Sequence, residues 1–452
     1  MEVIVIGAGQ AGNHIAHALT YENHNVTLID TDRSRLEQAE EGLDVRTICD
    51  HGASPRILEM AGASDADLVA AVTNSDEVNL IAAVTARQLG AGLTAARVYN
   101  QAYHGGGKIE YRNFLGIDLI ISPQALAAFE IAKQIENPAA VMVEHFANGL
   151  VEMREMVVAH DSPATGCEIR ALFPPERHDA ALAVSLARGD SVVVPGPNDR
   201  VKAGDQITVV MPTGQTPTVR KLFNDFEAPA KSVVIAGGGT TGMMLAQMLE
   251  GRNKSVKLIE QRRERCDELS RVLKQTQVIH GDATRHAVLE EERVGDADIF
   301  IALCGHDELN LMSALQAREM GVPYLTVTVN RADYGPIVER LGVHHAVSPR
   351  ILTGNRILML VGRFPVLSAA LLHDGRAEVV ELVAEVGSRV AGKKIGKEIR
   401  FPKGTILGAI VRGQDVIVPG AGDTIQPGDT CIAFALAPAV DALSRMFRGR
   451  KG

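Results

Sequence analysis

The stretch "VIVIGAGQAGNHIAHALTYENHNVTLIDTD" runs from Val3 to Asp32, and "VVIAGGGTTGMMLAQMLEGRNKSVKLIEQR" runs from Val233 to Arg262, 230 positions later. Both have the pattern of an apolar strand, a glycine turn, a helix and a second strand that ends on an acidic residue. Self-similarity at a fixed distance is the signature of an internal repeat. The chain is therefore predicted to consist of two halves with the same fold.

Each glycine turn has the spacing of a phosphate-binding loop. The first glycine permits the sharp turn from strand to helix, the second leaves space for a phosphate, and the third lets the helix pack against the strand. The helix that follows presents free N–H groups and a partial positive charge to an anion. The six glycines are Gly7, Gly9 and Gly12 in the first half and Gly237, Gly239 and Gly242 in the second.

Two acidic residues and one arginine refine the expected ligand. Asp30 and Glu260 each lie 23 positions after the first glycine, where a carboxylate accepts hydrogen bonds from ribose hydroxyls and repels a 2′-phosphate. This favours NAD, ADP or ATP over NADP. Arg97 follows a later strand of the first half, and the aligned residue of the second half is Thr328. The first half is therefore the better candidate for binding a charged phosphate chain.

The rest of the repeat predicts four domains. Short β-branched runs alternate with helix-length segments over residues 1–140 and 231–364, which predicts two Rossmann-like α/β domains, N1 and N2, with doubly wound parallel sheets. Residues 141–226 and 365–447 are richer in short strands and Gly/Pro turns, and both contain a PG turn followed by a GD turn. They are predicted to form small α+β domains, C1 and C2.

The composition of the chain excludes several classes of partner and site. The chain has 452 residues and a formal net charge of −9, which argues against nucleic acid as a partner. Its five cysteines are never spaced as CxxC, so we expect neither a zinc site nor a disulfide framework, and a reducing cytoplasm fits best. The sequence begins directly with a strand and has no window of about 18 uncharged apolar residues. We expect no secretion signal and no membrane span.

These motifs resemble the RCK (KTN) regulators of potassium transport. The resemblance rests on the two glycine turns, on "GDAT" at Gly281–Thr284, on "TNSDEVN" at Thr73–Asn79 and "GHDELN" at Gly305–Asn310, and on the paired PG and GD turns. The tandem N1–C1–N2–C2 layout covers essentially the whole chain. It is similar to the peripheral subunit of the bacterial Trk potassium-uptake system, whereas single-RCK relatives are about half as long.

The resemblance implies a regulatory subunit and not an enzyme. It predicts a cytoplasmic protein, peripheral to the inner membrane, that forms a tetrameric ring and gates an integral membrane potassium-translocating subunit of the TrkH or TrkG type. NAD(H), ATP and ADP are the expected ligands. In the family, N domains pair through a crossover helix, and the candidate helices span residues 123–138 and 349–364, both beginning at a proline suited to a first turn.

Carried onto this sequence, the resemblance also implies the nucleotide-binding residues. In N1 they are Gly7, Ala8, Gly9, Gln10, Ala11, Gly12, Asp30, Thr73, Asn74 and Arg97; in N2 they are Gly237, Gly238, Gly239, Thr240, Thr241, Gly242, Glu260, Cys304 and Gly305. "DHGA" at Asp50–Ala53 departs from the family pattern, and so does the pair Cys304–Gly305. The second departure, with Thr328, leaves open whether N2 binds nucleotide.

Other interpretations of the chain are weaker. An NAD-dependent soluble oxidoreductase would explain the Rossmann domains, but the small domains contain no recognisable catalytic acid, base or substrate cleft. A regulator of another cation transporter is the remaining alternative. His14 and His17 lack the partner spacing of a metal site, so they are interpreted as packing or solvated residues. We assign no catalytic residue and no metal ligand.

Overall fold

The computed structural model describes residues 1–21, 24–104, 109–136, 142–173, 181–189, 191–223, 230–331, 334–358, 366–372 and 376–449. The chain forms two compact units. One contains Met1–Glu136 and Pro229–Gly362, which are the two N domains, and the other contains Asn137–Ala228 and Arg363–Gly452, which are the two C domains. The predicted boundaries at residues 140, 226 and 364 lie outside the described residues.

N1 alternates strands and helices. Its elements are β1 Glu2–Ile6, α1 Gln10–Tyr21, β2 Asn25–Asp30, α2 Arg33–Gly42, β3 Arg46–Cys49, α3 Pro55–Ala61, β4 Leu68–Ala71, α4 Asp76–Leu89, β5 Leu93–Arg97, α5 Tyr111–Leu115, β6 Leu119–Ile121 and α6 Pro123–Glu136. The described strands form a parallel sheet in the order β3-β2-β1-β4-β5-β6. The order reverses between β1 and β4, the point at which doubly wound sheets bind ligands.

C1 is built around an antiparallel sheet. Its elements are β7 Met142–Phe146, β8 Val151–Val157, α7 Ile169–Leu172, β9 Leu182–Arg188, β10 Ser191–Val193, β11 Gln206–Pro212 and α8 Thr216–Leu222. The described strands are ordered β10-β9-β11-β8-β7. Packing of the helices and loops on the sheet, with Phe173 and Val219 in one buried cluster, gives the predicted α+β domain its own core.

N2 repeats the N1 topology. Its elements are β12 Ser232–Ala236, α9 Thr240–Leu249, β13 Ser255–Glu260, α10 Arg263–Val272, β14 Gln277–His280, α11 His286–Glu291, β15 Ile299–Ala302, α12 Asp307–Glu319, β16 Tyr324–Thr328, α13 Gly335–Arg340, β17 His345–Val347 and α14 Pro349–Leu358. The sheet is parallel in the order β14-β13-β12-β15-β16-β17. The predicted pair of Rossmann-like domains is confirmed.

C2 repeats the C1 sheet. Its elements are β18 Val366–Leu372, β19 Ala377–Val383, β20 Lys393–Lys394, β21 Thr405–Arg412, β22 Asp415–Ile417, β23 Thr424–Ile425, β24 Thr430–Leu436 and α15 Val440–Phe447. The main sheet is ordered β18-β19-β24-β21-β22, and β20 pairs with β23. Val151 and Met153 of C1 share one buried cluster with Val379 and Phe434 of C2, so the two sheets form a common core.

The repeated PG and GD turns have a structural role. Asp205 is buried, and its carboxylate accepts two hydrogen bonds from Arg188, at 2.7 and 2.6 Å. In C2 the equivalent Asp429 accepts two from Arg412, at 2.9 and 2.8 Å. A bidentate arginine–carboxylate pair fixes the GD turn of each small domain against a strand, and in each PG turn the amide of the glycine donates to an aspartate, Asp199 or Asp423, at 2.7 Å. The motif therefore stabilises the small domains from within.

The last helix of each N domain packs on the other N domain. In α6, Ala127, Ala128 and Ile131 join the buried cluster of N2 with Leu245 and Leu249 of α9. Small and branched side chains let the two helices approach closely and interdigitate. In the same way, Ile357 of α14 belongs to the buried cluster of N1. The predicted use of these helices at an interface between N domains is confirmed for Pro123–Glu136 and Pro349–Leu358, and the interface joins the two halves of one chain.

Candidate functional site

Both glycine turns have the geometry predicted from their spacing. Gly7 and Gly237 adopt φ values of +107° and +112°, which glycine reaches without strain. A Cβ on Gly12 would overlap the carbonyl oxygen of Gly7, so the third glycine is required for helix packing. No atom lies within 4 Å of the position that a Cβ would take on Gly9. This open space is where the phosphate is expected.

The turns lead directly into helices whose first residues belong to the predicted sites. The first intrahelical bonds run from Asn13 N to Gly9 O and from Met243 N to Gly239 O, at 2.8 and 2.9 Å. The amides of the three residues between each pair therefore precede the regular helical bonding. Gln10, Ala11, Gly12, Thr240, Thr241 and Gly242 occupy these first-turn positions.

The two acidic residues bind the turns from the ends of β2 and β13. Asp30 Oδ2 accepts a hydrogen bond from Ala8 N at 2.6 Å, and Glu260 Oε2 accepts one from Gly238 N at 2.9 Å. The opposite oxygens accept the amides of Asp32 and Arg262, both at 2.9 Å. Glu260 Oε1 also accepts a hydrogen bond from Arg262 Nε at 3.4 Å. Because a carboxylate oxygen has two lone pairs, Asp30 retains acceptor capacity on both oxygens and Glu260 on Oε2.

A buried asparagine, not among the predicted site residues, organises each cleft from the side of the fourth strand. Asn79 Oδ1 accepts hydrogen bonds from the amide and hydroxyl of Thr73, at 2.8 and 2.7 Å. Its Nδ2 donates to the carbonyl oxygens of Thr73 and Arg97, both at 2.8 Å. In N2, Asn310 binds Cys304 and Thr328 in the same way. Both motifs, "TNSDEVN" and "GHDELN", end on this asparagine, and its repetition in the two halves is the sequence feature that could have indicated its role.

An acidic residue at the start of the next helix fixes the neighbouring loop. Asp76 accepts the amides of Tyr99 and Asn100, at 2.9 and 2.8 Å. Asp307 accepts the amides of Asn330 and Arg331, at 2.8 and 3.0 Å. A carboxylate in the first turn of a helix is ordinarily explained by its favourable interaction with the helix dipole. The structure adds a loop anchor that depends on contacts more than 20 positions apart in the chain.

Arg97 is a buried cation at the edge of the N1 cleft. It is 4% exposed, and its Nη2 donates to Thr73 O at 2.9 Å and to Asn74 Oδ1 at 3.1 Å. Its guanidinium lies 5.1 Å from the centre of the Tyr99 ring. Its Nε is buried without a hydrogen-bond partner, and within the described residues it has no carboxylate at ion-pair distance. An anion in the cleft would satisfy this charge.

The charge on Arg97 is costly in this environment. Burial lowers the pKa of its guanidinium, Tyr99 acts in the opposite direction, and the nearby Arg350 cation lowers it further while Asp76 raises it. Arginine stays protonated at neutral pH even when shifted in this way. A buried positive charge without an ion-pair partner is thus part of the N1 cleft.

The N2 cleft has the same frame but different side chains. Thr328 occupies the position of Arg97, and its hydroxyl accepts a hydrogen bond from Asn310 Nδ2 at 3.1 Å. Burial, followed by the charges of Glu260 and Asp282, raises the pKa of the Cys304 thiol to about 11. Gly305 is exposed at the end of the strand. An open cleft of about 250 Å³ lies beside Gly239 and is lined by Gly239, Thr240, Arg262, Glu264, Arg265 and Glu268.

Family models match both halves of the chain. The TrkA-N domain matches residues 3–123 and 233–349, and the TrkA-C domain matches residues 153–224 and 379–448. The chain belongs to the TrkA family. The tandem arrangement inferred from the sequence is therefore confirmed, as is the resemblance to RCK regulators of potassium transport.

Individual relatives and one solved structure are similar over nearly the full length. The Trk system potassium uptake protein TrkA of Halomonas elongata is 35% identical over 443 residues, covering 96% of each chain. A TrkA homolog of Archaeoglobus fulgidus is 34% identical over 448 residues, covering 99% of this chain and 100% of the relative. The GsuK channel bound to NAD has a TM-score of 0.61 at 17% identity and covers 99% of this chain and 78% of its own. This last likeness shows the shared fold.

Membership of the TrkA family assigns the chain a regulatory part in potassium transport. In the portion of the chain that the structure describes, no helix has both the length and the apolar composition to cross a bilayer.

Proposed function

We propose that this TrkA-family chain is a cytoplasmic subunit, peripheral to the inner membrane, that gates a potassium-translocating membrane protein of the TrkH or TrkG type. NAD(H), ATP and ADP, bound in the N domains, are the regulating ligands. The observation that carries the nucleotide part is Arg97, a buried guanidinium without an ion-pair partner, beside a glycine turn with open space at Gly9. The GsuK channel, a protein of the same fold whose structure was solved with NAD bound, adds support.

A ring of several chains is part of the proposal. Ile81 on α4 and Met312 on α12 occupy equivalent positions of the two N domains and are 55% and 52% exposed. Phe114 on α5 is 73% exposed. Large apolar side chains this exposed are covered when chains associate. We assign these helices to contacts between chains of a tetrameric ring.

Gating requires that the nucleotide bind two ring conformations with different affinity. That difference is the only free energy available to shift the conformational equilibrium. Each site contributes a coupling of about 1–3 kcal/mol in typical allosteric proteins, and several sites in a ring add their effects. ATP and ADP share adenine and ribose, so the phosphate side of the cleft, where Arg97 lies, must distinguish them.

The test measures potassium uptake and growth at low external potassium in cells that lack this gene. We expect the wild-type gene to restore uptake and the double variant Gly9→Asp/Gly239→Asp to fail. Both positions have room for a side chain, and the added carboxylates would repel phosphate. Gly42→Asp adds an acid in open space on α2, outside the clefts, and should restore uptake normally.

Two results would overturn the proposal. Unchanged uptake in cells without the gene, with no redundant system present, would remove the role in potassium transport. Steady oxidation of NADH by the purified protein with a small substrate would instead indicate an oxidoreductase.

A further inference from the structure

Helix α14, which belongs to the N2 half of the chain, lies against the first helix of N1. His14 Nε2 donates a hydrogen bond to Asn355 Oδ1 at 2.9 Å, and a Cβ on Gly354 would meet the His14 ring at 2.6 Å. Ile357 follows one turn later and joins the buried cluster that contains Ile15. The matching pair α6 and α9 shows the direction of packing. At the end of α6, Ile135 O accepts a hydrogen bond from Ala230 N, and Glu136 pairs with Lys254, which follows α9, so these helices run parallel. In the repeat, α14 packs on α1 in the same way.

This register places Arg350 near the phosphate end of the N1 cleft. Arg350 lies one helical turn before Gly354, and Gln10, the first residue of α1, lies one turn before His14. Helical residues four apart lie on the same face. Independently of this register, the charge of Arg350 acts on Arg97, which ends β5 at the same edge of the sheet as the glycine turn.

Neither guanidinium is neutralised. Arg350 is half-buried, and within the described residues neither Arg97 nor Arg350 has a carboxylate at ion-pair distance. The oxygens of Asp76, an acid whose charge acts on Arg97, accept the amides of Tyr99 and Asn100. Two cations that repel each other across a cleft are stabilised when an anion binds between them. Arginine suits this role because its planar group binds phosphate oxygens in pairs.

The pair of arginines occurs in N1 and has no counterpart at the equivalent positions of N2. In the repeat, Gln124 of α6 corresponds to Arg350, and Thr328 corresponds to Arg97. Helix α6 packs on the first helix of N2 as α14 packs on that of N1. N1 therefore has two cations where N2 has two neutral side chains.

We propose that Arg350, from the N2 half, completes the N1 nucleotide site by binding the terminal phosphate of an adenosine di- or triphosphate. The inference rests on the proposed function, since it assumes that N1 binds adenine nucleotides. It assigns ligand selection at N1 to both halves of the chain. The class of ligand that gains most is the one with the most negative phosphate chain, ATP before ADP and ADP before AMP.

The test is a calorimetric titration of the purified full-length protein with ATP and with AMP. We expect Arg350→Gln to weaken ATP binding at the tighter site about tenfold, the range for a lost charge-assisted hydrogen bond, and to change AMP binding less than about twofold. Arg350→Lys keeps the charge and should lose less than Arg350→Gln. Gln124→Ala, the matched change on α6, should leave ATP binding at that site unchanged. Unchanged melting temperatures would show that the variants fold.

The possible outcomes separate the two proposals. If wild type binds ATP and Arg350→Gln binds it equally well, the role of Arg350 is wrong and the proposed function stands. An equal loss for ATP and AMP would also overturn it, because a structural effect on the cleft would not depend on the terminal phosphates. If wild type binds no adenine nucleotide, the proposed function fails and this inference fails with it.

Discussion

N1 and N2 have the same frame and different charges. Their glycine turns, their buried asparagines and their loop-anchoring aspartates match one for one. One difference lies at the end of the fifth strand of each N domain, where the alignment places Thr328 of N2 at the position of Arg97 in N1. The backbone geometry and the buried hydrogen bonds limit which residues can occupy the frame, whereas the position of Arg97 and Thr328 tolerates either a charged or a neutral side chain. The two halves thus share one fold and differ in the charge beside the cleft.

The two turns also differ in how they accommodate their acidic residue. In N2 a Cβ on Gly238 would collide with Leu269 and would lie 3.0 Å from Glu260 Oε2. In N1 the same positions hold Ala8, Ala39 and the shorter Asp30. The methyl group of Ala8 fits in N1 because Ala39 and Asp30 are smaller than Leu269 and Glu260, the residues at the same positions of N2. The three positions therefore differ in a compensating way between the two turns, with more volume at one and less at the other two.

The largest expected effect follows from replacing Arg97 by methionine. The variant loses the cation that an anionic ligand would contact, so ATP binding at N1 should weaken about tenfold to a hundredfold, or about 1.5–3 kcal/mol. Its ligand-free stability should change by less than about 1 kcal/mol, because the lost hydrogen bonds are offset by removal of a buried unpaired charge. Calorimetry and thermal melting measure the two quantities.

Thr328→Val serves as the N2 control for this comparison. It should leave ATP binding at N1 unchanged. A large loss of ligand-free stability in Arg97→Met, with unchanged ATP affinity, would show that Arg97 is a structural residue and that the charge difference between N1 and N2 is unrelated to ligands.

A smaller effect is expected from Gly238→Ala, which gives the N2 turn the residue found in N1. Because Leu269 and Glu260 occupy the space required, the substitution should lower the free energy of unfolding by about 1–2 kcal/mol. Gly239→Ala, where no atom lies within 4 Å of the new Cβ, should cost less than about 1 kcal/mol. Denaturant unfolding of both variants measures the difference. Equal costs would mean that the three positions did not change in concert.

The sequence predicted the parts of these clefts that depend on local patterns. The roles of Gly7 and Gly12, and the position of Asp30 beside the turn, follow from spacing along one strand–turn–helix unit. The role of Asn79 was not predicted, because a polar residue in the first turn of a helix is ordinarily explained by capping or solvation. Its partner Arg97 is 18 positions away and on another strand.

Contacts between the halves were the hardest to predict. The prolines and apolar faces of α6 and α14 predicted helices at an interface, and the family resemblance supplied the pairing of N domains. The side chains that meet, such as His14 and Asn355, are 341 positions apart. No local pattern sets that register, because it depends on how the ridges of two helices interlock. The position of Arg350 near Arg97 therefore required the three-dimensional structure.

The last difference between N1 and N2, which concerns reactivity and neither stability nor ligand affinity, involves the two cysteines near the clefts. Cys49 of N1 is exposed, whereas Cys304 of N2 is partly covered and its pKa is raised to about 11 by burial. Only the thiolate reacts readily with alkylating reagents. At pH 7.5 iodoacetamide should therefore label Cys49 at least about ten times faster than Cys304. The rate at Cys304 should rise about tenfold per pH unit between pH 8 and pH 10, because the thiolate fraction grows in that proportion below the pKa. Mass spectrometry of the two peptides measures both rates, and equal labelling at pH 7.5 would contradict the difference in burial.

Repeating the reaction with NAD or ADP gives a direct test of the second cleft. Cys304 is protected if N2 binds nucleotide, and its labelling rate is unchanged if only N1 binds it.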